Sequence, residues 1–116
     1  MNDSPASGGT GGPTSEVTVQ ISNPLGLHAR PAAEFVKLSS RFQSHISVEK
    51  DGLEVNGKSI MGVMMLAAEC GSRLRIRATG PDHGDAGASL SALVRDGFGE
   101  SRVDYGEDRG EGRRDA

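Results

Sequence analysis

A histidine, an arginine and a proline lie close together in the segment GLHARP, residues 26–31, and these residue types could bind and transfer an anionic group. Proline has no backbone N–H and prefers the first turn of a helix, so a helix is predicted to begin near Ala29 or Arg30. His28 then lies at or just before the helix N-terminus, where several backbone N–H groups have no partner within the helix. Because these groups and the helix dipole present positive charge, the segment is predicted to bind an anion.

His28 is a candidate nucleophile at this anion site. The positive helix end disfavours an imidazolium ion, so a neutral ring is expected, and a neutral ring nitrogen can attack an electrophilic phosphorus. The phosphoryl group would then lie on the backbone N–H groups of Ala29 and Arg30, and the Arg30 guanidinium could contact the same oxygens. On these residues alone, a histidine that only caps the helix is an equally good interpretation. His45 and His83 are interpreted as ordinary surface or packing residues.

Apolar residues elsewhere predict the elements that must position this segment. They alternate with polar residues over positions 17–21, 46–48, 53–55 and 74–78, which predicts four strands. Helical spacing predicts three helices, over residues 29–42, 59–67 and 86–98. Asp51-Gly52 indicates a hairpin between the second and third strands. The order βαββαβα therefore predicts an α+β fold, with one four-stranded sheet and helices on one face.

Ser59 precedes the second predicted helix and is a favourable N-cap residue. A phosphate added to its hydroxyl would lie on unpaired backbone N–H groups, so the helix should tolerate this modification. The surface would gain nearly two negative charges and would repel an acidic partner. A serine that only caps the helix is the alternative interpretation.

The second predicted helix carries more apolar side chains than so short a helix can bury. We expect part of this set to be exposed as a docking surface for partner proteins, since methionine adapts to several partners. Two leucines next to His28 are predicted to extend the surface. Packing in the core is the alternative for each residue. The predicted docking residues are Leu25, Leu27, Ile60, Met61 and Met64.

Composition and charge exclude several classes of protein. The net charge is −3, aromatic residues make up 3%, and residues 17–100 hold nine basic and nine acidic residues, so nucleic acid is not an expected partner. Cys70 is the only cysteine, which excludes an internal disulfide and a zinc site of four cysteines. No other set of metal ligands stands out, and neither a metal nor a cofactor is predicted. No apolar run approaches the length of a membrane span.

Both ends of the chain differ from its middle in composition. Residues 1–15 are rich in Gly, Ser, Thr and Pro, and residues 101–116 carry nine charges, so each is predicted to be a disordered extension. The folded domain is then expected at residues 16–100. The first residues lack the basic and apolar parts of a signal peptide, which favours the cytoplasm. A domain of this size favours a shallow surface site over a deep cleft.

Two longer segments resemble one known family. The string NPLGLHARPAAEFVKLSSRF is similar to the active-site signature of HPr, the histidine-containing phosphocarrier of the bacterial phosphotransferase system. The string NGKSIMGVMMLAAECGS matches the same family, in the same order, and the resemblance extends over about residues 16–100. It implies an open-faced β-sandwich with a four-stranded antiparallel sheet and three helices on one face.

The resemblance also implies roles for particular residues and partners. His28 would be phosphorylated through Nδ1, Arg30 would bind the phosphate, and Ser59 would be the regulatory serine. The donor would be enzyme I charged by phosphoenolpyruvate, the acceptors enzyme IIA domains, and the serine kinase HPr kinase/phosphorylase.

The favoured hypothesis is a monomeric phosphocarrier that is not an enzyme by itself. The alternative is a mainly regulatory module, acting through phosphorylated Ser59 or in a nitrogen-type signalling chain. Purely regulatory relatives lack the active histidine, whereas this chain has His28. A small hydrolase with His28 as general base is disfavoured, because no nucleophile, carboxylate partner or metal set accompanies it.

Overall fold

Four strands and three helices follow one another in the predicted order βαββαβα. The computed structural model describes residues 12–100, so the predicted extensions lie outside the described residues except for residues 12–15. The strands are β1 (Thr14–Gln20), β2 (His45–Lys50), β3 (Leu53–Asn56) and β4 (Arg73–Thr79). The helices are α1 (Ala29–Ser39), α2 (Ile60–Met65) and α3 (His83–Arg95), followed by a 3₁₀ turn at Gly97–Gly99.

The strands form one antiparallel sheet in the order β1-β4-β2-β3. Ile76 of the inner strand β4 lies opposite Val17 on one side and Val48 on the other. The β2–β3 hairpin turns at Asp51 and Gly52, which both adopt positive φ, as the sequence predicts for this pair. This confirms the predicted α+β class and the antiparallel sheet.

The buried core lies between the sheet and the helices. Period-two alternation places apolar side chains of each strand on the same face, where Phe35 of α1 and Leu90 and Val94 of α3 pack. The other face of the sheet is charged, with Arg75 paired to Glu16 and Glu49 as its centre. The alternating arginines of β4 are thus on the solvent face, as predicted. Among residues 12–100, no helix is long and apolar enough to cross a lipid bilayer.

The first strand begins at Thr14, two residues before the predicted domain boundary at residue 16. Thr14 and Ser15 pair with Thr79 and Ala78 of β4, so both belong to the sheet and not to an extension. Their hydroxyls are also bonded, Thr14 Oγ1 lying 2.9 Å from Thr79 Oγ1 and Ser15 Oγ 2.6 Å from Nδ1 of His83. Composition could not predict this strand pairing, because the hydrogen bonds between strands join backbone groups that are present whatever the side chain.

All three helices end earlier than predicted. The first stops at Ser39, three residues before the predicted end at residue 42. The second stops at Met65 because Ala67 has a φ of 50°, in the left-handed region that ends a helix. The third stops at Arg95, and Phe98 lies in the following 3₁₀ turn instead of in the helix. Phe98 is nevertheless buried, so the turn packs the end of the domain against the core.

Asp82, before α3, joins this helix to the loop before β2. Its carboxylate accepts hydrogen bonds from the Ser44 hydroxyl (2.6 Å) and from the backbone N–H groups of Ser44 and Gln43 (both 2.9 Å). The hydrogen bond from the Ser44 hydroxyl is the largest cause that lowers the pKa of Asp82 from 3.8 to about 2. The carboxylate therefore stabilises the folded state in its ionised form.

We predict that Asp82→Asn lowers the free energy of unfolding at neutral pH and that the difference disappears in acid. Because the folded pKa is depressed, the contribution of Asp82 is complete above 3.8 and is lost as the pH falls towards about 2. Denaturant unfolding at a series of pH values measures this. Asp85→Asn, which removes an exposed carboxylate from the first turn of the same helix, is the control. An equal, pH-independent effect of both substitutions would contradict the assignment.

Candidate functional site

The N-terminus of α1 lies at the surface, with His28 as its N-cap residue. The His28 backbone is extended (φ −83°, ψ −171°) and its carbonyl accepts the first helical hydrogen bond, from Ala32 at 3.0 Å. Ala29 and Arg30 in the first turn are exposed, and their N–H groups have no acceptor within the helix. The His28 side chain makes no capping bond and is 36% exposed. The predicted helix start is confirmed, and the ring is open to a second protein.

The loop between β1 and α1 is held against residues 68–72. Ile21 donates its N–H to Ser72 (2.8 Å), and Leu27 donates to the Ala68 carbonyl (2.8 Å). Gly26 lies between them with a φ of 70°, and a Cβ there would be 2.5 Å from the Ala68 oxygen. This position therefore requires glycine both for its backbone conformation and for space. The loop fixes the direction from which His28 enters the helix.

Glu100 lies beside His28, although 72 positions separate them in the chain. Its carboxylate oxygens are 3.2 and 3.3 Å from Nε2 of His28. The buried Asn23 amide donates to the same carboxylate at 3.0 Å and to the Gly26 carbonyl at 2.8 Å. The sequence analysis did not identify Glu100 or Asn23 as site residues. No local pattern marks them, since only the packing of the 3₁₀ turn brings Glu100 to the helix end.

Both a negatively charged group, Glu100, and a positively charged group, Arg30, lie near His28. Desolvation, the largest single influence, raises the pKa of the Glu100 carboxyl, but hydrogen bonds from Asn23 and His28 and the charges of His28 and Arg30 lower it overall. Glu100 is therefore ionised beside the ring. The sequence predicts only the positive helix end around His28. The structure adds a carboxylate next to Nε2 of the imidazole.

Arg30 is exposed in the first turn, two residues from His28. Within residues 12–100, its guanidinium makes no ion pair, so it is available to an incoming anion. Nδ1 of His28 likewise has no hydrogen-bond partner in this range. No group of three or more His, Cys, Asp or Glu side chains in the same range is arranged to hold a metal ion. Within residues 12–100, the site therefore combines a partly exposed imidazole, first-turn N–H groups that have no acceptor in the helix, and a guanidinium that makes no ion pair.

Ser59 is the N-cap of α2, as predicted. Its backbone is extended (φ −117°, ψ 118°), and its hydroxyl accepts a hydrogen bond from the Gly62 N–H at 3.0 Å. The residue is half-buried.

Several apolar residues of this second helix and one in the loop before α1 are exposed. Leu25 is 76% exposed and Met61 73% exposed, while Val63 and Leu66 of the same segment face the core. Leu27 is a correction to the predicted docking set, because it is only 5% exposed and belongs to the core. Its backbone bond to Ala68 turns its side chain inward. Met65 is exposed and was not in the predicted set. We call the exposed set the methionine surface: Leu25, Ile60, Met61, Met64 and Met65.

Comparison with known proteins matches this arrangement to one family. The family model for the PTS HPr component phosphorylation site matches residues 15–96. A phosphocarrier protein HPr from Treponema pallidum is 47% identical over 83 residues, covering 72% of this chain and 94% of that protein.

Two solved structures extend the comparison. The crystal structure of HPr-C-His from Thermoanaerobacter tengcongensis has 48% identity and a TM-score of 0.72, covering 75% of this chain and 98% of that one. The Bacillus subtilis protein Crh, described as a domain-swapped dimer, has 45% identity and a TM-score of 0.59, covering 67% of this chain and 90% of that one. The matched class is the phosphocarrier proteins of the phosphotransferase system. The chain belongs to the HPr family.

We predict that Gly26→Ala destabilises the protein more than Gly52→Ala. Both glycines have positive φ, which costs an L-residue about 1–2 kcal/mol. Only at Gly26 does the added Cβ also meet a backbone oxygen, since nothing lies within 4 Å of a Cβ at Gly52. Denaturant unfolding of both variants measures the difference. Equal losses of stability would show that the contact with Ala68 does not restrict the loop.

Proposed function

We propose that the chain accepts a phosphoryl group on Nδ1 of His28 from phosphoenolpyruvate-charged enzyme I and passes it to enzyme IIA domains. The observation that carries this proposal is the partly exposed His28 ring at the N-terminus of α1, directly before the N–H groups of Ala29 and Arg30, which have no acceptor within the helix. Membership of the HPr family supports the same role.

The transfer step needs a lone pair, an anion site and a route for the leaving group. The lone pair of Nδ1 forms a bond to phosphorus while the bond between phosphorus and the donor atom breaks, and its electron pair stays with the donor. The transferred oxygens meet the N–H groups of the first turn and the Arg30 guanidinium. Transfer to the acceptor repeats these steps in reverse. A shallow site suits this exchange, because the second protein must reach the phosphorus in line.

The methionine surface is the proposed docking surface for these partners. Leu25 precedes His28 by three residues, so one exposed apolar side chain of this set lies close to the proposed phosphorylation site in the chain. Exposed methionine side chains can adapt to partners of different shape, as a carrier between a donor and several acceptors requires. Because the carrier acts through such transient contacts, we propose that it is a monomer. We also propose that it acts in the cytoplasm.

Ser59 is the proposed regulatory phosphorylation site, with HPr kinase/phosphorylase as the enzyme. Its half-buried hydroxyl caps α2 directly before Ile60 and Met61 of the methionine surface. A phosphate there would add about 1.5–2 negative charges next to apolar docking residues. The second candidate function is a mainly regulatory protein. The likeness to Crh favours it, because Crh is described as a catabolite repression protein. The exposed His28 favours the phosphocarrier.

We predict that His28→Ala abolishes phosphorylation by enzyme I and phosphoenolpyruvate, because among residues 12–100 His28 is the histidine that lies at the N-terminus of α1. The measurement is radiolabelling followed by acid and alkali treatment, since phosphohistidine is labile in acid and stable in alkali. His45→Ala, which removes an exposed histidine on β2, is the control and should be labelled like the wild type. Labelling of His28→Ala at the wild-type level would refute the site.

We predict that Ser59→Asp slows phosphoryl transfer from enzyme I, whereas Ser59→Ala does not. Aspartate retains an oxygen for the Gly62 N–H and adds a charge, whereas alanine removes the cap at a cost of about 1 kcal/mol. Initial transfer rates at several enzyme I concentrations measure the effect, which should fall on the apparent affinity. If both variants transfer at the wild-type rate, Ser59 is a helix cap only.

A further inference from the structure

We infer that the Glu100 carboxylate, held by Asn23, is a positioning group that fixes the tautomer of His28 by accepting a hydrogen bond from its Nε2–H. The proton on Nε2 leaves the lone pair on Nδ1, the nitrogen that must react. This inference rests on the proposed function for its purpose, but the tautomer itself can be measured without any transfer.

The geometry of the contact distinguishes the two ring nitrogens. Both Glu100 oxygens lie near Nε2 of His28, at 3.2 and 3.3 Å, whereas Nδ1 has no hydrogen-bond partner within the described part of the chain. The carboxylate is more sheltered than the ring, with exposed fractions of 19% and 36%. The contact therefore occupies Nε2 and leaves Nδ1 without a hydrogen-bond partner among residues 12–100.

An ionised carboxylate can only accept hydrogen bonds. Burial raises the pKa of the Glu100 carboxyl, but the hydrogen bond from Asn23 and the positive charge of Arg30, together with the contact to His28, hold this pKa below its usual value. The ring nitrogen that faces it must then carry the proton, and a neutral imidazole has only one. The same arrangement orients histidine side chains in metal sites, where a second partner fixes which nitrogen is free.

Asn23 holds this carboxylate in place. Its side chain is fully buried, and its amide nitrogen donates to Glu100 at 3.0 Å and to the Gly26 carbonyl at 2.8 Å. Both neighbours are acceptors, so the amide nitrogen and not its oxygen must face them. Asn23 thus ties the end of the domain to the loop that carries His28.

The carboxylate also bears on the phosphorylated form. When Nδ1 bonds to phosphorus, Nε2 keeps its proton and the ring becomes positively charged, while the donor leaves with the electron pair of its own bond to phosphorus. Glu100 then faces a cation instead of a neutral ring. It should stabilise the phosphohistidine and shift the transfer equilibrium towards this carrier.

The test compares Glu100→Ala and Glu100→Gln with the control Glu54→Ala, an exposed carboxylate on the edge strand β3. The first readout is the ¹⁵N NMR spectrum of the unphosphorylated His28 ring at a pH where it is neutral. We expect Glu100→Ala to raise the ratio of Nδ1–H to Nε2–H by about threefold to tenfold, as for the loss of one hydrogen bond of ordinary strength, because the contact is partly exposed to solvent. Glu54→Ala should leave the ratio unchanged.

The glutamine variant separates the hydrogen bond from the charge. Its amide oxygen can still accept from Nε2–H, so the tautomer ratio should stay nearer to the wild type than in Glu100→Ala. It lacks the charge, so the equilibrium of phosphoryl exchange with enzyme I should move away from the carrier in both Glu100 variants. An unchanged tautomer ratio in Glu100→Ala would overturn the inference. If the ratio changes in Glu100→Ala but enzyme I does not label the wild-type protein, the tautomer assignment stands and the proposed function is overturned.

Discussion

The loop that leads into α1 is held by a backbone hydrogen bond from Leu27 to Ala68, and the geometry of the site depends on it. The bond brings two chain segments so close that residue 26 has no room for a side chain. The helix consequently begins at one defined residue, with His28 outside its first turn and two N–H groups free. Without this hydrogen bond, the same residues would be present, but the His28 ring would no longer have a fixed position relative to the N-terminus of α1.

The site therefore combines a rigid backbone, which fixes its geometry, with side chains at the surface that a second protein can reach. A phosphocarrier must bind its phosphoryl group well enough to receive it and weakly enough to release it. In the proposed function, the N–H groups of the first turn and one surface arginine would meet this requirement, because interactions between exposed charges are weakened by water and salt. The core beneath the site supplies the rigidity, since Ala32 and Phe35 anchor α1 on the sheet.

Sequence reasoning predicted those parts of the structure that depend on local pattern. The proline in the first turn marked the helix start, and the alternation of Leu74, Ile76 and Ala78 marked a strand with its arginines on the opposite face. It could not predict that Leu27 is buried, because an apolar residue in a loop gives no periodicity to read. It also missed Glu100, whose contact with His28 spans 72 positions and depends on the buried turn at Phe98.

The position of Glu100 links the end of the folded domain to the chemistry at its first helix. Because Phe98 anchors the 3₁₀ turn in the core, the carboxylate two residues later has a limited set of positions near the ring. Asn23 reduces that set further from the opposite side. A helix N-terminus alone can bind an anion but does not choose between two ring nitrogens. Here a buried amide and a distant carboxylate supply that choice, so the reactivity of His28 is a property of the folded domain and not of the local motif.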